Sequence, residues 1–231
     1  MMKLLISLVA IIILIFVLRV GELYTQLARY QKYWDRVNQQ KVKGASLTYI
    51  AFGDSAAQGV GATSPDKGYV GLIADELSKD NKKVRTINLS KSGAKIRDVL
   101  DIQLPIYESM NLSGKTLFTV EVGANDIVTF DKNKFEKDMD ELMTTMPTGT
   151  VISDIPSFKG SRLARLEYRV DEANGIIYRL AQKHHIKIAN LHERVENNHG
   201  LRTFSADLFH PSDHGYRTNW LPPFLERING S

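Results

Sequence analysis

Four short polar segments carry the residue types that a nucleophilic site needs. Ser55 ends a Gly-Asp-Ser segment that follows a run of β-forming residues, and Gly93 lies in a Ser-Lys-Ser-Gly segment. Asn125 belongs to a Gly-Ala-Asn-Asp segment, and Asp207 and His210 stand three residues apart near the C-terminus. A serine hydroxyl attacks an acyl carbon only when an imidazole accepts its proton, and that imidazole needs a carboxylate to fix its tautomer. On its own, however, a serine such as Ser55 is more often a turn or helix-cap residue than a nucleophile.

The elements that would position these segments alternate between β-rich and helical patterns from Leu47 onward. Candidate strands cover 47–53, 84–89, 116–123, 150–155 and 186–191, and helix-like stretches lie near 68–79, 95–109, 133–145 and 162–184. This alternation predicts right-handed crossovers and a parallel sheet covered on both faces. In such sheets, sites form beyond the carboxyl ends of the strands. The first three polar segments each follow one of the first three strands, so we expect them at one edge, with the fourth folding over it.

Together the four segments, in this order and over residues 47–217, resemble the blocks of the SGNH hydrolases, also called the GDSL lipase/esterase family. The resemblance implies that Ser55 is the nucleophile, His210 the base and Asp207 its orienting acid. It also implies an oxyanion hole formed by the N–H groups of Ser55 and Gly93 and by the Asn125 side chain. The fold expected is a flavodoxin-like three-layer α/β/α sandwich around a mostly parallel five-stranded sheet, preceded by a hydrophobic N-terminal helix. No cofactor and no metal are expected.

The chemistry of these residue types agrees with the implied roles. Residues three apart on a helical turn have Cβ atoms about 5 to 6 Å apart, so Asp207 is able to reach His210. Gly93 lets its backbone approach a substrate closely, and Asn125 offers an amide N–H₂. Gly93 and Asn125 are also typical of ordinary turns, and His214 is the one serious substitute for His210.

One departure from the family pattern concerns the residues after the nucleophile. The family usually places Leu or another bulky apolar residue there, whereas this chain has Ala56 and Ala57. The substitution leaves the nucleophile in place but bears on the shape of the substrate pocket.

The sequence therefore predicts a serine hydrolase of carboxylic esters that works through an acyl-enzyme, with small-molecule, lipid or acylated-glycan esters as substrates. Thioester hydrolysis and acyl transfer to another acceptor remain alternatives because the same machinery serves both. A catalytically inactive, membrane-tethered binding protein is an alternative of another class. A metal-dependent phosphoesterase is disfavoured because the chain has no Asp-x-His or Gly-Asn-His ligand pattern.

The N-terminal segment has a composition of its own. Leu4 to Leu18 is interrupted only by Ser7, and it predicts a membrane anchor or a signal segment over residues 1–20. The basic residues that follow favour a cytoplasmic domain, whereas the segment's start is typical of export, so the side of the membrane stays open. Apolar residues at helical spacing then predict an amphipathic helix in 21–46, either packed on the domain or acting as a stalk: Leu23, Leu27, Tyr30, Trp34 and Val37. The hydrolase-like domain is expected over 47–231.

Charge and cysteine content exclude other classes. The formal net charge is +4, but residues 1–46 hold seven basic residues against two acidic ones, so the remainder is close to neutral. This distribution argues against nucleic-acid binding. The chain has no cysteine, which removes disulfides, thiolate metal sites and a cysteine nucleophile. The oligomeric state is not indicated.

Overall fold

The computed structural model describes residues 2–200 and 202–230, without the side chains of 2–5, 8–10, 12–13, 16, 19–20 and 23–24. Five parallel strands form one sheet in this part of the chain: β1 Leu47–Gly53, β2 Val84–Asn88, β3 Thr116–Glu121, β4 Val151–Ser153 and β5 Lys187–Ala189. Their order is β2-β1-β3-β4-β5, with β1 between β2 and β3. This is the flavodoxin-like order, so the predicted fold is confirmed.

Helices connect the strands and cover the sheet. In the described residues they are α1 Met2–Asn38, α2 Tyr69–Leu77, α3 Ile96–Asp98, α4 Leu104–Glu108, α5 Ala124–Val128, α6 Lys132–Thr145, α7 Glu167–His184, α8 Leu191–Asn198, α9 Asp213–Gly215 and α10 Leu221–Asn229. The four predicted helical stretches contain α2, α3 with α4, α6 and α7. The sequence patterns did not predict α5, α8, α9 and α10. Two of these helices, α5 and α9, are short, and α8 is mostly polar, with only Leu191 and Val195 buried.

The pleat of β1 divides the core into two layers. Ile50 and Phe52 point to one face, where they pack with residues of α3, α4, α6 and α7. Tyr49 and Ala51 point to the other face, where they pack with α2, α8, α10 and the C-terminal end of α1. Because both faces of the sheet are covered, β1 is buried along nearly its whole length instead of alternating between buried and exposed residues.

Two wide π-helical turns interrupt the helical segments near the carboxyl edge of the sheet. They cover Val99–Gln103 and Tyr216–Trp220. Each is followed, two residues later, by a proline, Pro105 and Pro222, which lacks the N–H that a regular helix would use. Such turns often occur at functional sites because they redirect side chains. Here each turn ends in a buried side chain, Gln103 and Trp220, that reaches the edge where the polar segments lie.

Helix α1 is continuous from the N-terminal segment to the domain. Its C-terminal part packs on the hydrolase-like domain, where Tyr30 and Trp34 are buried. The predicted anchor at 1–20 falls in large part on side chains outside the described residues. The described residues contain no helix with the length and apolarity needed to cross a membrane.

Candidate active site

The turn that carries Ser55 begins where β1 meets β3 most closely. Gly53 pairs with Glu121, and a Cβ atom on Gly53 would lie 2.2 Å from the Glu121 carbonyl oxygen, so only glycine fits. The buried Gln103 side chain accepts from Gly53 N at 2.9 Å and donates to Gly53 O at 2.8 Å. The backbone immediately before Asp54 and Ser55 is therefore fixed on two sides.

Ser55, His210 and Asp207 form one chain of hydrogen bonds. Ser55 Oγ lies 2.9 Å from His210 Nε2, and His210 Nδ1 lies 2.6 Å from Asp207 Oδ2. The three side chains come together although Ser55 and His210 are 155 residues apart in sequence. The structure thus places these predicted residues in the arrangement in which an imidazole accepts the proton of a serine hydroxyl.

The segment from Asp207 to His210 is a tight turn, and the Asp207 side chain stabilises it. Asp207 Oδ1 accepts hydrogen bonds from the backbone N–H groups of Phe209 and His210, both at 3.0 Å, and Leu208 adopts a left-handed conformation at φ 55°. Burial raises the pKa of Asp207, but the His210 ring and these N–H groups outweigh it and lower that pKa to about 2. Asp207 is therefore a carboxylate at neutral pH.

A second contact holds His210 against the turn of Ser55. Gly61, with φ 94°, lies so close that a Cβ atom there would be 2.8 Å from His210 Cβ and 2.4 Å from Pro211 O. His214, the alternative base considered from the sequence, is exposed, and the neighbouring Asp213 instead bonds Thr63.

The other two predicted oxyanion donors, Asn125 and Gly93, lie outside the hydrogen-bond chain of Ser55, His210 and Asp207 in the described residues. The Asn125 amide donates to Asp54 Oδ2 and to Ala94 O, each at 3.0 Å, so both of its hydrogens are in use. Gly93, with φ 80°, is exposed, and a Cβ atom there would meet nothing within 4 Å. Neither residue is among those that line the pocket at Ser55.

Carboxylates tie the polar segments to one another. Asp54 Oδ1 accepts from Ala56 N at 2.9 Å while Oδ2 accepts from Asn125, and Asp126 Oδ2 accepts from Ile96 N at 3.2 Å. Burial raises the pKa of both Asp54 and Asp126 to about 6. These bonds set the relative positions of the three strand ends.

A small pocket of about 30 Å³, partly open to solvent, lies beside Ser55 and His210. Four aromatic side chains contribute to its walls, and two of them, Phe158 and Phe209, pack edge to face with ring centroids 5.7 Å apart. Glu121 and Asp54 also line it, although both side chains are buried. Apolar walls with a few polar groups among them are typical of sites that bind small ligands.

Helix α1 contacts the turn of Ser55 from the outside. Trp34 Nε1 donates to Gln58 O at 3.0 Å, and Tyr30 Oη donates to Ala62 O at 2.7 Å. The Gln26 side chain accepts from Gly61 N at 3.1 Å. The segment that positions Ser55 and abuts His210 thus rests on residues from the N-terminal part of the chain.

One group of described side chains has metal-ligand types outside this pocket. His192 Nε2 lies 3.3 Å from Glu167 Oε1 and 3.4 Å from Asp171 Oδ1. Glu167 also accepts from Ser157 Oγ and Phe158 N, both at 2.6 Å. The bond to Glu167 raises the pKa of His192. Through Glu167 this group is connected to Ser157 and Phe158 in the pocket wall.

Sequence reasoning missed three residues that support the site, Gln103, Glu121 and Trp220. Glu121 had a visible signal, a lone charged residue in the apolar run TLFTVEVG. Gln103 and Trp220 had none, because their roles depend on the π-helical turns that aim them.

This chain is similar to known proteins both in sequence and in fold. The sequence model of the GDSL-like Lipase/Acylhydrolase family matches residues 51–218. No curated protein matches the chain. A lipolytic protein of the G-D-S-L family from Veillonella parvula is 23% identical, with a TM-score of 0.64 over 78% of this chain and 97% of that one. An acetylxylan esterase from Geobacillus stearothermophilus is 17% identical, with a TM-score of 0.61 over 81% and 96%.

A phospholipase A1 from Streptomyces albidoflavus is 18% identical, with a TM-score of 0.58 over 79% of this chain and 100% of the other. At these identities the structures show a shared fold. The fold and the family match together define a hydrolase of the GDSL class. The chain belongs to the GDSL-like Lipase/Acylhydrolase family.

Proposed function

We propose that this protein hydrolyses carboxylic esters through an acyl-enzyme on Ser55, with His210 as the base and Asp207 as its orienting acid. The observation that carries the proposal is the continuous contact from Ser55 Oγ through His210 to Asp207, at 2.9 and 2.6 Å. The low pKa of Asp207 supports it, because a charged carboxylate stabilises the imidazolium that forms during attack.

In the first half-reaction Ser55 Oγ forms a bond to the acyl carbon, and its proton moves to His210 Nε2. The ester C–O bond then breaks, and His210 returns that proton to the departing alcohol. In the second half-reaction a water molecule attacks the acyl-enzyme, His210 takes a proton from the water, and the acid leaves as Ser55 regains its hydrogen.

The oxyanion that forms at each attack needs fixed donors. We assign this role to the N–H groups of Ser55 and Gly93 and to the Asn125 amide. Asn125 already donates to Asp54 and Ala94, so one of these bonds must be shared or exchanged when the oxyanion forms. An oxyanion donor is typically worth about 10² to 10³ in rate.

The test is hydrolysis of p-nitrophenyl esters of graded chain length by the wild-type protein and by Ser55→Ala and His210→Ala. We expect both variants to lose activity by a factor of about 10³ or more. His214→Ala is the matched control and should retain activity. Labelling by a fluorophosphonate should depend on Ser55. Activity that survives both substitutions would show that these residues are not the catalytic ones.

Acyl transfer and thioester hydrolysis are second candidates because only the acceptor or the leaving group differs. Partition of the acyl group between water and an added alcohol separates hydrolysis from transfer. A thioester assayed beside its oxygen ester separates the two leaving groups. A protein that resists the fluorophosphonate while folded would instead be the inactive, membrane-tethered binding protein.

We further propose that residues 1–20 hold the protein at a membrane and that its substrates are lipid esters or acylated glycans. The apolar run from Leu4 to Leu18 supports the first point. The similar structures of an acetylxylan esterase and a phospholipase A1 are compatible with the second. Flotation with phospholipid vesicles tests the location, since a chain without residues 1–20 should remain unbound. Activity restricted to short acyl chains would count against lipid substrates.

A further inference from the structure

Glu121 is a buried carboxyl group that the proposed reaction does not use. It ends β3 and lines the pocket beside Ser55, yet its side chain is only 4% exposed. Trp220 Nε1 donates to its Oε1 at 3.3 Å, whereas Oε2 has no hydrogen-bond partner in the described part of the chain. A buried polar atom without a partner costs free energy, so this one calls for a ligand atom.

Its surroundings determine whether Glu121 acts as a donor or an acceptor. Asp54 is the nearby carboxyl group, and two donors stabilise its charge, Ala56 N and the Asn125 amide. Glu121 has one long bond from an indole. Two carboxyl groups in a dry interior do not both ionise, so the proton resides on the one with fewer donors.

The direction of the pKa agrees with that assignment. Burial raises the pKa of Glu121 well above its ordinary value, and the charge of Asp54 raises it further. The other titratable groups that face Glu121 are the buried hydroxyls of Tyr69 on α2 and Tyr216 beside the second π-helical turn. No Lys or Arg side chain is among the described residues that line this pocket with Glu121 and His210, so burial and the charge of Asp54 together favour the protonated form of Glu121.

We propose that Glu121 is a specificity-determining residue whose Oε2–H donates a hydrogen bond to an oxygen atom of the substrate group that occupies the aromatic pocket. The substrate class is an ester with an ether, hydroxyl or carbonyl oxygen close to the scissile bond. A plain alkyl chain in the same place would bury Oε2 without a partner. This inference rests on the proposed ester hydrolysis.

Two isosteric substrate pairs test it with the full-length chain: p-nitrophenyl methoxyacetate against butyrate, and 3-methoxypropionate against pentanoate. Each kcat/KM is divided by the rate constant for hydroxide hydrolysis of the same ester, which removes the electronic effect of the oxygen. We expect at least one pair to show a preference for the oxygen-containing member. Glu121→Leu should reduce that preference about tenfold or more, and Glu121→Gln should largely keep it because an amide N–H still donates.

Thr119→Val is the matched control, since it makes a buried position of the same strand apolar without touching the pocket. Its preference should equal that of the wild type. A second measurement uses pH: the wild-type preference should fall at alkaline pH as Glu121 loses its proton, whereas that of Glu121→Gln should stay constant. If Glu121→Leu does not fold, Glu121→Met replaces it.

The outcomes distinguish a failure of the proposed ester hydrolysis from a failure of the role assigned to Glu121. Absence of hydrolysis that depends on Ser55 would overturn the proposed function itself. Hydrolysis that depends on Ser55, with no preference in either pair or with a preference unchanged in Glu121→Leu and Glu121→Met, would overturn only the role of Glu121.

Discussion

Gly61 shows how a single hydrogen atom in place of a side chain shapes the site. In Gly61→Ala, the new Cβ would clash with Pro211 O and His210 Cβ at 2.4 and 2.8 Å. We expect His210 to move from Ser55, with kcat/KM lower by about 10². Gly114→Ala is the matched control because its φ of 95° equals the 94° of Gly61 to within a degree, yet nothing lies within 4 Å. Both variants should lose stability from the unfavourable φ, and only Gly61→Ala should lose activity. Equal activities would contradict the assigned contact.

Asp207 makes the free energy of unfolding depend on pH in the acid range. Its folded pKa of about 2 lies below its ordinary value of 3.8, so its contribution is present above pH 4 and is lost as the pH falls toward 2. The shift corresponds to about 2 kcal/mol in the free energy of unfolding. Asp207→Asn should therefore be less stable than the wild type at pH 6, and the difference should shrink at pH 2 to 3. Urea unfolding at both values measures this.

The same variant should lower kcat by about 10³ to 10⁴, because an asparagine holds the His210 tautomer less favourably and leaves the imidazolium without its charge partner. A stability difference that persists unchanged at pH 2 would show that the carboxylate charge is not its source.

At the scale of elements, the two π-helical turns provide side chains that hydrogen-bond residues at the carboxyl edge of the sheet. Gln103 bonds both backbone atoms of Gly53, and Trp220 bonds Glu121, whose partner in the sheet is the same Gly53. The turns end in side chains that a regular helix of the same sequence would rotate away. The two turns thus contact the strand ends next to Ser55, although they are remote from it in sequence.

Gln103→Leu tests the first of these supports. The substitution leaves Gly53 N and O without the side-chain partner in a buried place, so we expect the free energy of unfolding to fall by about 2 to 4 kcal/mol. We also expect kcat to fall, because the Ser55 turn starts at Gly53. Gln182→Leu, on the exposed face of α7, is the control and should change stability by less than about 0.5 kcal/mol. Urea unfolding and ester hydrolysis report the two effects, and equal losses in both variants would argue against the support.

For the whole molecule, local sequence patterns were enough for the sheet and for the segments at its edge. β1 spans the predicted residues 47–53, whereas the predicted strand at 150–155 is observed only over Val151–Ser153, and the Asp154 carboxylate that follows it accepts from Tyr178 Oη and His192 N. The features of the site that the sequence did not predict depend on contacts between residues that are far apart along the chain. The donors of Asn125 are occupied by Asp54 and Ala94, and burial raises the pKa of Glu121. Neither feature is visible in a local pattern.

Helix α1 joins the chain's N-terminal segment to its catalytic segment, and it lies outside the residues that the family model matches. Four of its residues, spaced by one helical turn, bond the domain: Gln26, Tyr30, Trp34 and Asn38. Removal of residues 1–21 spares all four, whereas removal of 1–39 exposes the surface beneath Tyr30 and Trp34.

We expect the shorter truncation to leave the free energy of unfolding within about 0.5 kcal/mol of the full chain. The longer one should lower it by about 3 kcal/mol or more, since each buried aromatic side chain contributes about 1.5 to 3 kcal/mol. It should also reduce ester hydrolysis, because the segment from Gln58 to Ala62 that abuts His210 loses its partners. Urea unfolding of the two truncated chains, in the same detergent as the full chain, gives the comparison. Equal stability and activity in the two truncated chains would mean that α1 is a tether that leaves the site unaffected. A loss confined to the longer truncation would show that the C-terminal part of α1 stabilises the catalytic domain.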